Sequence, residues 1–345
     1  MHMADALISP AVGGTMWAAS AGLLAFCARK VRQTLDDKMI PLMGVLGAFI
    51  FAAQMINFAI PATGSSGHLG GGLILAILLG PYASFLVIAS VLTVQAFFFA
   101  DGGLLALGCN IFNLGFFPAF IAYPLIYKPL AGGARVGWRG AMLAAILGLQ
   151  MGAFGVVMET TMSGISDLPF KTFVLMMQPI HLAIGIVEGL VTSAVIAFVS
   201  KARPASIPWP ASGDGGSIGL GRVVIRLLII AAFVGGGLSW FASSHPDGLE
   251  WAMGKVSGKE ELEKPNVGIY KHLSTIQEKT AVMPDYDFKS VESSMVEAVE
   301  TTGVQQQAKW PAVNAGTSIA GLVGGLATMV LAGLIGYGLR RCSGV

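Results

Sequence analysis

Charge is what this sequence has least of. Of 345 residues only 12% are Asp, Glu, Lys or Arg, while 54% are hydrophobic; a soluble globular domain carries about 25% charged residues. That shortage excludes an ordinary soluble domain and places the chain among polytopic helical membrane proteins. Cysteine is scarce too. Cys27, Cys109 and Cys342 are odd in number, far apart, and in or beside apolar runs, which excludes a disulfide framework and reads as small core residues. No Walker motif occurs, so any ATP-driven work needs another protein. No His-Glu-x-x-His occurs, and the His residues within apolar runs are too few to ligate a catalytic zinc. The net charge of +2 says little about partners, because the charges are segregated along the chain, and nothing points to nucleic acid.

What is present is a series of nine apolar segments, at about 12–28, 40–60, 70–80, 82–100, 104–127, 140–158, 173–199, 223–243 and 315–339. Most have the ~20 residues a bilayer crossing needs. The third has about half that length and is interrupted by Gly80-Pro81, which suits a short or re-entrant helix enclosed by its neighbours. Lys and Arg cluster after the first segment (Arg29, Lys30, Arg32, Lys38), after the fifth (Lys128, Arg135, Arg139), around 201–226 (Lys201, Arg203, Arg222, Arg226) and after the ninth (Arg340, Arg341). The opposite short loops, at 61–69, 101–103 and 159–170, have none. The bias predicts about nine transmembrane segments in an all-α fold, with the N-terminus outside and the C-terminus cytoplasmic.

The first apolar run lacks a basic n-region and is followed by its positive cluster, so retention in the membrane is expected rather than cleavage. The Pro-, Gly- and Ser-rich stretch 203–221 reads as a cytoplasmic linker between a seven-span unit, 1–202, and a two-span unit, 222–345. A small polar extracytoplasmic domain, about 244–312, falls between the last two spans. Within it 255–264 reads as a short helix, and Pro284 and Gly303 mark turns.

The chemistry concentrates on the outer face. An α-amine at Met1, the main-chain nitrogen of His2 and the nearer nitrogen of its imidazole close five- and six-membered chelate rings on one metal. A planar set of four nitrogens suits Ni(II) or Cu(II). His68, in the small-residue run 61–72, is placed to supply the fourth, and a surface-loop role competes with that reading. Met1 should be retained ahead of so large a second residue. Asp5 is placed to orient a ligand imidazole or to cap the first helix. Asn57, Gln54, Gln95, Asp101, Asn110 and Asn113 read chiefly as interhelical hydrogen-bonding groups; Asn57, with Ser65 and Ser66 of the loop, also lies beside the candidate metal site. His181 and Glu188, seven apart, share a helix face and read first as a structural pair. His245 and His272 lie in the outer domain, where exposed His residues are most often inert.

The start Met1-His2-Met-Ala-Asp5-Ala-Leu-Ile-Ser9-Pro10, with Gly67-His68, Ile77-Leu-Leu-Gly-Pro81 and the run from Asp101 to Asn113, resembles the M-type substrate-binding components of energy-coupling-factor nickel/cobalt transporters. Pro246-Asp-Gly-Leu-Glu-Trp251 resembles their small N-type component, here fused. The resemblance implies a metal held by the Met1 amine, the His2 amide and imidazole, and His68. It implies a membrane T-type coupling component, paired cytoplasmic ATP-binding-cassette ATPases, and metal loading assisted by the N-type domain, with His245 a candidate for that step. Two departures stand out: Ala4-Asp5-Ala6 replaces the frequent Pro-Asp-Gly, and Cys109 stands where Ala is usual. The expectation is a multi-pass plasma-membrane protein taking up Ni(II) or Co(II), with no catalytic cofactor. Asn57-Phe58 and Gly67-His68-Leu69-Gly70 look closer to nickel-type members. The alternatives are a cobalt-specific component supplying cobalamin synthesis, a passive channel, and an intramembrane metallohydrolase using His181 and Glu188.

Overall fold

The computed structural model describes residues 2–34, 36, 38–131, 137–202, 220–288 and 310–342. Met1, Arg135, most of the 203–221 linker and Gly303 lie outside the described residues. The helices are α1 (Pro10–Thr34), α2 (Met39–Gln54), α3 (Gly72–Leu79), α4 (Pro81–Phe98), α5 (Leu107–Leu130), α6 (Gly137–Ser163), α7 (Phe170–Ala202), α8 (Leu220–Gly236), α9 (Gly248–Ser257), α10 (Gly268–Thr280) and α11 (Ala315–Arg341). Antiparallel β1 (Phe58–Ile60) and β2 (Ser65–Gly67) form a small hairpin with Phe58 opposite Gly67.

Each of the nine apolar segments contains a helix, and among the described residues six helices (α1, α4, α5, α6, α7 and α11) are long and apolar enough to cross a membrane. α2 and α8 are shorter, at 16 and 17 residues. α3 has eight residues, about 12 Å of helix, against a hydrocarbon core of about 30 Å. It is enclosed instead: Leu73, Ile74, Leu75 and Ala76 are fully buried. Gly71 and Gly80 bound it at φ +76° and +79°, and Pro81 opens α4. A Cβ on Gly72 would overlap the Leu114 carbonyl, so the close approach of α3 to α5 needs glycine there.

Irregular backbone inside a bundle must find its partners in protein. The Glu188 carboxylate on α7 accepts from Gly70 N–H (2.9 Å) and Gly71 N–H (3.1 Å), a remote cap for α3. Gln54 Nε2 donates to Gly70 O at 2.9 Å, and Gln95 Nε2 to Gln54 Oε1 at 2.8 Å. Glu188 therefore does not pair with His181, whose Nδ1 donates to Met177 O at 2.8 Å; the structural pair expected from their spacing is not formed. In α5, Pro118 and Pro124 remove main-chain donors, and Phe112 to Tyr127 run in wider π-type turns.

The last two spans pack on the first unit. Gly324 of α11 lies against the Phe51 ring of α2, and Gly235 of α8 against the Gly321 backbone. Between them α9 begins earlier than the sequence suggests. Asp247 caps the N–H groups of Leu249 and Glu250, and Glu250 Oε2 accepts from Asp247 N–H, a capping box that starts the helix at Gly248. Gly258, at φ +77°, ends it, so the helix expected at 255–264 is replaced by α9 and an irregular 258–267 segment.

Candidate metal site

One end of the bundle gathers the amino-terminal tail, the 61–71 loop, the 99–106 turn and the segment between α8 and α11, an outer unit relative to the bundle. The tail is clasped there by non-local hydrogen bonds. Met3 is fully buried; its N–H donates to Asn110 Oδ1 (2.8 Å), and its carbonyl accepts from Asn110 Nδ2 (3.3 Å) and Gly103 N–H (2.9 Å). Asp5 Oδ1 accepts from Leu105 N–H (2.8 Å) and Ala106 N–H (3.0 Å). It caps the turn leading into α5, so neither role expected for it, orienting a ligand imidazole or capping the first helix, is what its bonds serve. The Tyr270 hydroxyl of α10 donates to Ile8 O at 2.9 Å, and a Cβ on Gly103 would overlap the Asp5 carboxyl.

This clasp delivers His2 to His68. Their ring centroids are 4.8 Å apart and their planes lie within 8° of parallel. His2 Nδ1 lies 3.2 Å from Asp101 Oδ1, and the Tyr286 hydroxyl donates to Asp101 Oδ2. Asp101, not Asp5, is the carboxylate that contacts the His2 ring in this conformation. His68 Nδ1 donates to Leu69 O at 3.1 Å, which fixes the tautomer and leaves Nε2 as the ligand-type nitrogen. Burial pushes both imidazoles down to about 3, opposed by the Asp247 carboxylate, so both are neutral at pH 7. Burial pushes the Asp101 carboxyl up. Among the described residues no three His, Cys, Asp or Glu side chains converge as a metal site.

The outer unit roofs the loop. Ser66 N–H donates to Pro246 O (2.8 Å), Ser66 Oγ to His245 O (2.7 Å), Ser243 N–H to Asn57 O (2.7 Å) and Trp251 Nε1 to Thr63 O (2.9 Å). Ser65 Oγ bonds to Ser66 O at 3.1 Å. Ser65, Ser66 and Asn57 thus stitch the roof to the loop. His245 contributes its carbonyl while its side chain is exposed. Asp247 enters the same neighbourhood: with His68 and His181 it lines a cavity of about 10 Å³. The roles of Asp101, Asn110 and Asp247 escaped sequence reasoning. Their signals were present in the Gly102-Gly103 pair and in the 246–251 motif, but each depends on contacts 99 or more residues away.

Fold and site together define a polytopic membrane protein whose amino-terminal tail, residues 2–8, packs against the 61–71 loop. Residues 2–206 match the family described as cobalt uptake substrate-specific transmembrane region (CbiM), and residues 221–341 match the PDGLE domain. The chain belongs to the CbiM family, in the form fused to a PDGLE domain. It is 36% identical over 209 residues to a putative metal transport protein of Haloquadratum walsbyi, covering 59% of this chain and 92% of that one. It is also 36% identical over 214 residues to a putative fused nickel transport protein, NikMN, of Archaeoglobus fulgidus, covering 59% and 67%. A crystal structure of a transition metal transporter superposes with a TM-score of 0.53 at 29% identity, covering 58% of this chain and 93% of that one. The protein is a multi-pass membrane protein of the nickel/cobalt transport class.

Proposed function

We propose that this chain is the substrate-binding component of an uptake system for Ni(II), with Co(II) an alternative cargo, and that it is not itself an enzyme. The ion is held at the outer face by the Met1 amine, the His2 amide and Nδ1, and His68. The observation that carries this reading is the near-parallel His2–His68 pair, held by a buried tail. The chelate takes the His2 nitrogen that faces Asp101, so the ion replaces that contact and keeps the carboxylate as a neighbouring charge. Coordination of amine and amide releases protons. Family membership favours nickel and cobalt together; a planar four-nitrogen set favours nickel.

With no Walker motif in the chain, energy comes from separate ATP-binding-cassette subunits through a T-type membrane component. The seven-span unit 1–202 binds metal, 203–221 links, and 222–345 supplies the roof. A passive channel fits less well, because a four-nitrogen chelate holds its ion too long for conduction.

Elemental analysis and nickel titration of the purified full chain with a native amino terminus test this. His2→Ala or His68→Ala should lower nickel affinity more than about 100-fold, beyond the 10–100-fold typical of outer-shell partners, with an unchanged melting temperature. Acetylation of the Met1 amine, which removes one of the four nitrogens, should do the same. Retention of bound nickel by all three forms overturns the reading.

A further inference from the structure

His181 of α7 is unused by the site above, yet it is built like a metal ligand. It is 1% exposed. Its Nδ1–H is committed to the Met177 carbonyl, so Nε2 carries a bare lone pair. Metal-binding imidazoles are oriented by this same second hydrogen bond. Nε2 is buried and has no hydrogen-bond partner, an exception among buried polar atoms. The cavity His181 lines is shared with His68 on the loop and with Asp247 and Gly248 on the roof, and is backed by Leu114 and Leu149 of the bundle. The roof bears directly on the ring, since a Cβ on Gly248 would lie 3.3 Å from His181 Cε1.

We propose that His181 is a further nitrogen donor for the transported divalent cation, which reaches it from the His2–His68 site by ligand exchange. This rests on the tail-chelate reading. The bond from the ion to the His2 amide nitrogen breaks, that nitrogen takes back from bulk solvent the proton it released on binding, and a bond to His181 Nε2 forms. No oxidant or reductant takes part. The neighbouring Asp247 carboxylate offsets the charge of the ion on the way. His68, His181 and Asp247 do not converge on one point in this conformation, so His181 is a station of passage rather than part of the resting site.

The test is radiolabelled nickel uptake by cells of the native host carrying the full chain, with nickel titration of the purified protein alongside. His181→Gln should leave the equilibrium affinity and the KM of uptake within about threefold of wild type and lower the maximal rate about tenfold or more. His181→Cys should keep more uptake than His181→Gln. A thiolate ligates, whereas the Gln amide restores only the hydrogen bond to Met177, so a purely structural role gives the opposite ranking. That opposite ranking, a wild-type rate in His181→Gln, loss of its equilibrium binding, or failure of both variants to fold each overturns the proposal. Failure of the tail chelate shows separately, as nickel retained by His2→Ala and His68→Ala.

Discussion

The tail (residues 2–8) and the 61–71 loop meet at one point but are held by different means. The tail is gripped mainly from within the first unit, by Asn110 and the 103–106 backbone, with Tyr270 reaching in from the outer unit. The loop is held from two sides, by Glu188 from inside the bundle and by the 243–251 segment from outside. The tail can thus form with little help from the roof, whereas the loop's outer half depends on it. Each imidazole is brought by a different kind of restraint, and the two can be loosened separately.

The largest break in that comparison comes from Glu188→Ala. It leaves the buried N–H groups of Gly70 and Gly71 without an acceptor, at about 1–3 kcal/mol each. Thermal melting should report the loss, while protection of the tail amides from hydrogen exchange persists. Equal loss of protection in tail and loop would mean that the two are one cooperative unit.

Asn110→Ala is the mirror experiment and the smaller one. It strands the Met3 N–H, at about 1–3 kcal/mol, and should free the tail to exchange while the loop stays protected. Nickel affinity should fall about tenfold, in the range of an outer-shell partner. Wild-type affinity in this variant would show that the clasp does not position His2.

What was legible in the sequence follows from the range of the forces involved. Hydropathy fixed the apolar segments, because each needs only its own composition to be recognised. The third was correctly too short to cross alone, but that Glu188 caps it is a contact across 118 residues and invisible locally. Asp5 misled because two nearby partners competed for it in the sequence, and its actual partners, Leu105 and Ala106, are about 100 residues away. The start of α9 was readable, since Asp247 and Glu250 stand three apart as a capping box demands, but the charged run 255–264 drew attention instead.

The smallest effect expected is a pH dependence of the roof. Burial, and then the Asp247 charge, push the Glu250 carboxyl up to about 7 from its ordinary 4.5. The folded roof therefore holds a proton that the unfolded chain has already lost, and its stability falls as pH rises from about 4.5 through 7. Between pH 6 and 8 the melting temperature of the outer unit should drop, and Glu250→Gln should flatten that slope. An unchanged slope in the variant would assign it to another group.

Fusion gives the contact between Ser66 and Pro246 a stoichiometric meaning. A cover encoded as a separate polypeptide can be lost by dilution or by unequal synthesis. Here it is tethered to the surface it covers, so its local concentration is set by the linker and not by expression. Every copy in the membrane carries its own cover.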